Sequence, residues 1–271
     1  MAADGYFDDD SMLRRVVGER IVVLSGPRAL LMQAAHPLAM TGLLAHSGGF
    51  DDPYERLRQT AVVMDAIGFG GREEADRLTA QVRRAHARVR GRLREPAGPF
   101  PAGTPYAADD PALLLWVLYS LADSAMVVYS RYVAALSADE QERLWQDYRL
   151  VGSLFGLADD EMPADVAAMR AYGRERLDSG ELVVTPWARD RGLDIVFNPP
   201  LPFPARPLVE TVNFITVALL PPEIRRQFNF APLPPDPIRS LMVRAGAEYV
   251  RRVALPLTPD RLRRIPQTRT A

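Results

Sequence analysis

"RALLMQAAHPLAMTGLLAHS", residues 28–47, is apolar on nearly every side of the helix it would form. A helix without a polar face has to be enclosed by other elements, so this segment reads as the centre of the fold. Pro37 bends or breaks it, because the proline ring removes a backbone donor and clashes with the carbonyl four residues back. His36 has no polar face to point to, since Met32, Ala35, Ala39, Met40 and Leu43 surround it.

Outward from this centre the chain continues to read as helices. One is expected over Met12–Leu24, with "SGP" at 25–27 supplying an N-cap and a first-turn proline for the next. "DDP" at 51–53 starts a helix to about Gly68, and another is expected from about Glu73 to Arg94. The long apolar stretch Pro111–Leu136 follows a Pro- and Gly-rich loop, 94–111. Ser137 and Glu140 form a capping-box pattern, and residues 162–180 repeat the plan and end at Gly180. The last third is proline-rich, with short helices at Leu208–Leu219 and Pro237–Ala254, and "ELVVTP" at 181–186 is the one extended piece. Helix follows helix without alternating strands, so the expected architecture is all-α. No linker or repeat divides residues 1–271, which read as one domain with flexible ends at about 1–10 and 259–271 and a basic tail after Thr258.

Composition narrows the chemistry. All 33 basic residues are arginine, balanced by 34 acidic ones, so lysine Schiff-base chemistry is excluded and no global field favours nucleic acid. The absence of cysteine excludes disulfides, iron–sulfur ligation, thiolate nucleophiles and covalent haem attachment. Transition-metal ligation through nitrogen is left to His36, His46 and His86. The acidic N-terminus does not look like a secretory signal and no apolar run is read as approaching a bilayer span, so a cytoplasmic protein is expected.

His86 is the notable member of the 73–94 helix, sharing the apolar stripe of Leu78, Val82, Val89 and Leu93 while the arginines fall elsewhere. It is either a satisfied core histidine or a ligand to metal or haem. On the preceding helix Arg56 and Thr60 share the stripe of Val63 and Ile67. They differ by about 40° and about 6 Å along the axis, near enough to address one ligand or, alternatively, to snorkel and to bond local backbone. His36 and His46 are about 15 Å apart in rise, which disfavours a multi-histidine zinc site. Serine-hydrolase, phosphate-loop and zincin motifs are absent. Three histidines on buried faces and a buried Arg/Thr pair point to a cofactor held between helices, and haem suits a single nitrogen ligand in an apolar slot.

Taken in order, "RALLMQAAHPLAMTGLLAHS", "DDPYERLRQT", "VRRAHARVRG", "YAADDPALLLWVLYSLADSAMVVYSRYV" and "LVGSLFGL" resemble the oxygenase MpaB family, related to the catalytic core of the rubber oxygenase, latex clearing protein. The similarity runs through "TPWAR" and "LLPPEIR" to the arginine-rich end. The resemblance implies an all-α fold with a distant globin-like core around haem b. It places His86 on the proximal iron ligand, Arg56 and Thr60 on the distal Arg-x-x-x-Thr pair, and His36 on an Ala-His-Pro motif that is structural or lines the haem pocket. Gln59 stands where the rubber oxygenase carries a distal lysine, and no motif selects a distal base among Asp51, Asp52 and Glu55. The implied activity is oxygenation or peroxygenation of a small hydrophobic substrate by dioxygen or peroxide. Val63, Met64, Ile67 and the Trp116–Met126 helix are expected to face that substrate. A non-catalytic haem sensor and a cofactor-free helical binding protein are the alternatives.

Overall fold

The central segment is buried at every position from Arg28 to Pro37 except Gln33. In the computed structural model, which describes residues 5–45, 53–200, 202, 204, 206–230 and 236–265, it forms two helices with a break at Ala35 and His36. The elements in chain order begin with α1 (Met12–Val17), α2 (Ser25–Ala34), α3 (Pro37–Ala45), α4 (Pro53–Phe69) and α5 (Arg72–His86). A short antiparallel pair, β1 (Arg90–Arg92) and β2 (Pro105–Ala107), precedes α6 (Pro111–Tyr132), α7 (Ala138–Phe155) and α8 (Val166–Asp178). Then come α9 (Pro186–Phe197), α10 (Arg206–Leu219), α11 (Pro222–Gln227), α12 (Asp236–Tyr249), α13 (Leu255–Leu257) and α14 (Asp260–Arg263). The architecture is all-α, and the main core runs continuously from Phe7 to Phe228.

The core is centred on α2 and α6. Ala29, Leu31, Met32 and Ala34 of α2 are buried against α6, while α9 and α10 also pack on α2. Ala122 and Ala125 supply buried positions of small volume on α6, and Trp116 seals the far end by donating its indole N–H to the Met32 carbonyl at 3.2 Å. On the other side α7 meets α1, α5 and α6. A β-carbon on Gly152 would lie 2.7 Å from Leu118 and 2.6 Å from Met162 Sδ, so the absent side chain permits this close packing. The capping box at Ser137 and Glu140 forms as expected, with reciprocal bonds of 3.2 and 2.8 Å.

Several expected boundaries are corrected. The helix foreseen over Met12–Leu24 divides: Glu19 is extended, and Arg20–Leu24 is a 3-10 turn running directly into α2, so Ser25 caps nothing. Glu19 leaves the helix because it is buried and takes Arg263 in a bidentate bond, 2.8 Å at each oxygen, with Arg264 alongside. This ties down the chain beyond Thr258, where α14 forms and Ile265 N–H bonds the Gly18 carbonyl, in place of the expected fraying of that stretch. "ELVVTP" joins no strand; the Gln227 side chain serves both Val184 N–H and the Leu182 carbonyl. Helix α6 is by length and composition able to cross a bilayer, which corrects the reading that no segment approaches a span, and two-thirds of its apolar window is buried inside the protein.

One buried cation joins three helices. Arg28 on α2 donates to Asp123 at 2.7 Å and Ser124 at 2.6 Å, both on α6, and to the Leu219 carbonyl of α10 at 2.8 Å. Only 4% of its side chain is exposed, so losing the guanidinium leaves a carboxylate and a carbonyl without their partner. Arg28→Leu is expected to lower unfolding free energy by about 3 kcal/mol, read as a lower urea midpoint at an unchanged slope. An unchanged midpoint would show that the three-helix contact contributes nothing.

Candidate functional site

The sequence on either side of Gly70 and Gly71 makes two helices that pack on each other, α4 and α5. Glu73 and Glu74 begin α5 and Arg83, Arg84 and His86 end it, a polarity that complements the helix dipole at both termini. Its inner face is Ala75 and Thr79, with Leu78 and Val82 partly buried against the core. The Arg83 guanidinium donates to the Leu154 carbonyl, fastening this end of α5 to the last turn of α7.

His86 is the last residue of α5, half-buried, with its Nδ1 in the protein interior. The helix therefore stops eight residues before the expected Arg94. The reason lies in "RVRGRLR", residues 88–94, which alternates strictly: the arginines are exposed while Val89 and Gly91 are partly covered and Leu93 is buried. A period of two suits a strand, and β1 pairs with β2 through Arg90–Ala107, Gly91–Tyr106 and Arg92–Pro105. Val89 and Leu93 thus belong to the hairpin and not to the helical stripe of His86.

The hairpin connects the surroundings of both described histidines. Tyr106 and Val89 lie within 4 Å of where a β-carbon would stand on Gly42 of α3, and Phe100 in the hairpin loop meets the His36 ring at 5.7 Å, tilted by 33°. His36 sits in the break before Pro37, 95% buried, and its Nδ1 has no hydrogen-bond partner among the described residues. Burial pushes its pKa down to about 4; Glu181 and Asp110 pull it up and Arg176 pushes it further down. It is a neutral imidazole at pH 7. Arg176 pairs with Glu181 and lies 5.3 Å over the Tyr172 ring, itself edge-on to Tyr119. The sequence reading did not pick out this polar group beside His36. Its members come from α6, α8 and the segment after Gly180, so no local spacing connects them.

On α4 the expected stripe is split. Val63 and Ile67 are buried in the core, whereas Thr60 is exposed with its neighbours Arg58, Gln59, Ala61 and Val62. Of Arg56 the backbone in α4 is described. Glu55 receives Arg58 at 2.7 and 2.6 Å and Gln59 at 3.2 Å; the Arg58 hydrogen bonds hold its carboxyl below the usual range. It is an ionised partner of Arg58. His46, Asp51 and Asp52 lie outside the described residues. Val63, Ile67 and Trp116, expected to face substrate, are core residues, and among the described apolar side chains of α4 Ala61, Val62, Met64 and Phe69 keep exposure.

Among the described residues no group of three or more His, Cys, Asp or Glu is placed to hold a metal ion. Two surface recesses, of about 430 and 630 Å³, lie at α12 and at α1, and neither is lined by His36, Thr60 or His86. His86 thus stands at the end of α5 with arginines on either side of it in sequence, and His36 is enclosed at the break before α3.

An all-α protein with buried or half-buried histidines and no multi-ligand metal centre among its described residues is the class that fold and site define. The chain belongs to the family described as ER-bound oxygenase mpaB/B'/Rubber oxygenase, catalytic domain, whose model matches residues 14–254. It is an oxygenase-family catalytic domain over that range. No curated protein and no solved structure matches the chain.

The lowered His36 pKa makes a stability prediction. Between the unfolded value of about 6.5 and the folded value of about 4 the unfolded chain binds the extra proton, so stability present above pH 6.5 is lost as pH falls through that window. Its total is roughly 3 kcal/mol. His36→Gln is expected to flatten the dependence of Tm on pH over the window, and an unchanged slope would exclude His36 as its source.

Proposed function

We propose that the chain is a haem b-dependent oxygenase or peroxygenase acting on a small hydrophobic substrate, with His86 as the proximal iron ligand. The family match carries this reading, and the position of His86 supports it. A single imidazole suits haem, whose other iron ligands come from the macrocycle, better than it suits a bare ion that needs three or four protein donors. With Nδ1 turned to the interior, Nε2 is the ring nitrogen that would ligate. Exposed Arg84 and Arg88 stand on either side of His86 in sequence and offer guanidinium partners to two propionates. When bound, the haem supplies activation of dioxygen or peroxide.

The chain's own residues do the remaining work in this reading. Thr60, on the exposed side of α4, presents a hydroxyl donor to the oxidant, and Arg56, one turn earlier, a positive charge that favours developing negative charge. Val62 and Met64 flank that face with apolar surface for a hydrophobic substrate. Gln59 bonds Glu55 and cannot act as a cationic ligand, unlike a lysine at that position.

The decisive experiment is an absorption spectrum of protein purified from haem-supplemented cells. Wild type is expected to show a Soret band, and His86→Ala to lose most of it while far-ultraviolet circular dichroism stays helical. A colourless wild type, or a variant with full haem and an unchanged spectrum, overturns the assignment. Thr60→Ala is expected to keep haem and to slow substrate oxidation by about tenfold or more, the scale of one lost hydrogen-bond donor. Wild-type turnover in that variant would remove Thr60 from the mechanism.

A further inference from the structure

Helix α12 has two apolar faces. Val243, Ala247 and Val250 point inward; Val243 and Ala247 are 6% and 2% exposed, and all three fall within about 60° of azimuth. On the opposite side Ile238, Leu241, Met242, Ala245 and Tyr249 share about 100° of azimuth, and among them Leu241 and Tyr249 are 67% and 63% exposed. An ordinary surface helix would present polar side chains there.

The stripe continues past the helix because of a backbone irregularity. Val250–Ala254 is a π turn that ends at the residue before Leu255–Pro256, the start of α13. A proline has no N–H for the carbonyl four residues earlier and its ring clashes with it, so the widened turn is where a proline inside a helical run is accommodated. A π turn takes up one extra residue and sets everything beyond it back by about 100°. Leu257, 78% exposed, is thereby returned to the azimuth of Ile238 and Leu241. The apolar ridge then runs about 28 Å from Ile238 to Leu257.

Charge is concentrated on the same segment. Residues 236–265 carry seven arginines against Asp236, Glu248 and Asp260, a net of +4 in a chain whose formal charge is −1, although Glu19 binds Arg263 and Arg264 and Glu248 binds Arg251 and Arg252. Exposed Arg244 flanks the ridge, exposed Arg252 lies at its margin paired with Glu248 at 2.6 Å, and exposed Arg261 follows it beside Leu262. A recess of about 430 Å³ at the start of the ridge is lined by Pro237, Ser240, Leu241 and Arg244, which sets a guanidinium beside an apolar side chain.

We propose that this ridge lies in the surface of an anionic phospholipid bilayer. The features match an in-plane interfacial helix: a convex apolar stripe, a tyrosine suited to the headgroup level, and long cationic side chains at its margins. A second copy of the chain fits less well, since a two-fold contact centred midway along the ridge would bring Arg244 of each copy toward Arg252 of the other.

The test is co-sedimentation of the full chain with phosphatidylcholine vesicles, with and without phosphatidylglycerol, at low and high salt. Binding is expected to the anionic vesicles, to weaken with salt, and to fall about tenfold or more in Leu241→Glu and Leu257→Glu. Arg244→Glu with Arg261→Glu is expected to remove the preference for anionic lipid. Circular dichroism and Tm check that these surface variants fold. No vesicle binding by wild type, or binding unaltered by all four substitutions, overturns the proposal. So does a monomer–dimer equilibrium in sedimentation velocity that Leu241→Glu abolishes without any vesicle binding, because the occupant is then a second copy.

Discussion

The enclosed Arg28 guanidinium is the constraint around which the helices are arranged. A cation with 4% of its side chain exposed has to meet fixed partners, and here they come from α6 and from the end of α10. That requirement holds α2 to α6 at the point where Ala122 and Ala125 line the α6 core, and it anchors α10 close to the centre. Apolar burial supplies most of the driving force, yet apolar contact is non-directional. The polar bonds define which turn of α2 faces which turn of α6.

The site inherits its geometry from that arrangement. Because α2 is enclosed, the break at Pro37 occurs in the interior, and His36 is caught there as a neutral imidazole against Phe100. The same Phe100 belongs to the hairpin loop that follows His86, so two histidines fifty residues apart border one short β-element. Arg83 fixes the end of α5 to α7 through the Leu154 carbonyl, which leaves Arg84 and Arg88 exposed beside His86. The core side of α4 is filled by Val63 and Ile67, and Thr60 lies on its exposed side.

At the C-terminal end, opposite solutions to burial occur within thirty residues. Glu19 is buried and takes Arg263 in a bidentate bond with Arg264 alongside, fastening α14 to the residues just after α1. On α12 a second set of apolar side chains instead turns outward, and the π turn ahead of Pro256 keeps them in line with Leu257.

How much of this was legible in the sequence depended on the range of the interaction responsible. All-round apolarity marked residues 28–47, which hold α2, as central, and capping chemistry at Ser137 located the start of α7, because these signals are carried by residues within a turn or two of each other. The order of short motifs was enough for the family, and it singled out His86, His36, Arg56 and Thr60 as the positions to examine. The end of α5 was also written locally, in the alternation of "RVRGRLR", but a period of two is easily read as the continuation of an amphipathic helix when a single apolar stripe is followed. Other features had no local signature. Glu19 breaks the first helix for the sake of arginines some 244 residues away, Gln227 replaces a neighbouring strand for "ELVVTP", and the polar surroundings of His36 assemble from three separate segments. The sequence by itself determined which segments are helical and which residue types the chemistry can use. Tertiary structure alone decided which of those residues are enclosed, since burial and electrostatic pairing depend on what lies across space, and that is encoded only in the packing of the whole chain.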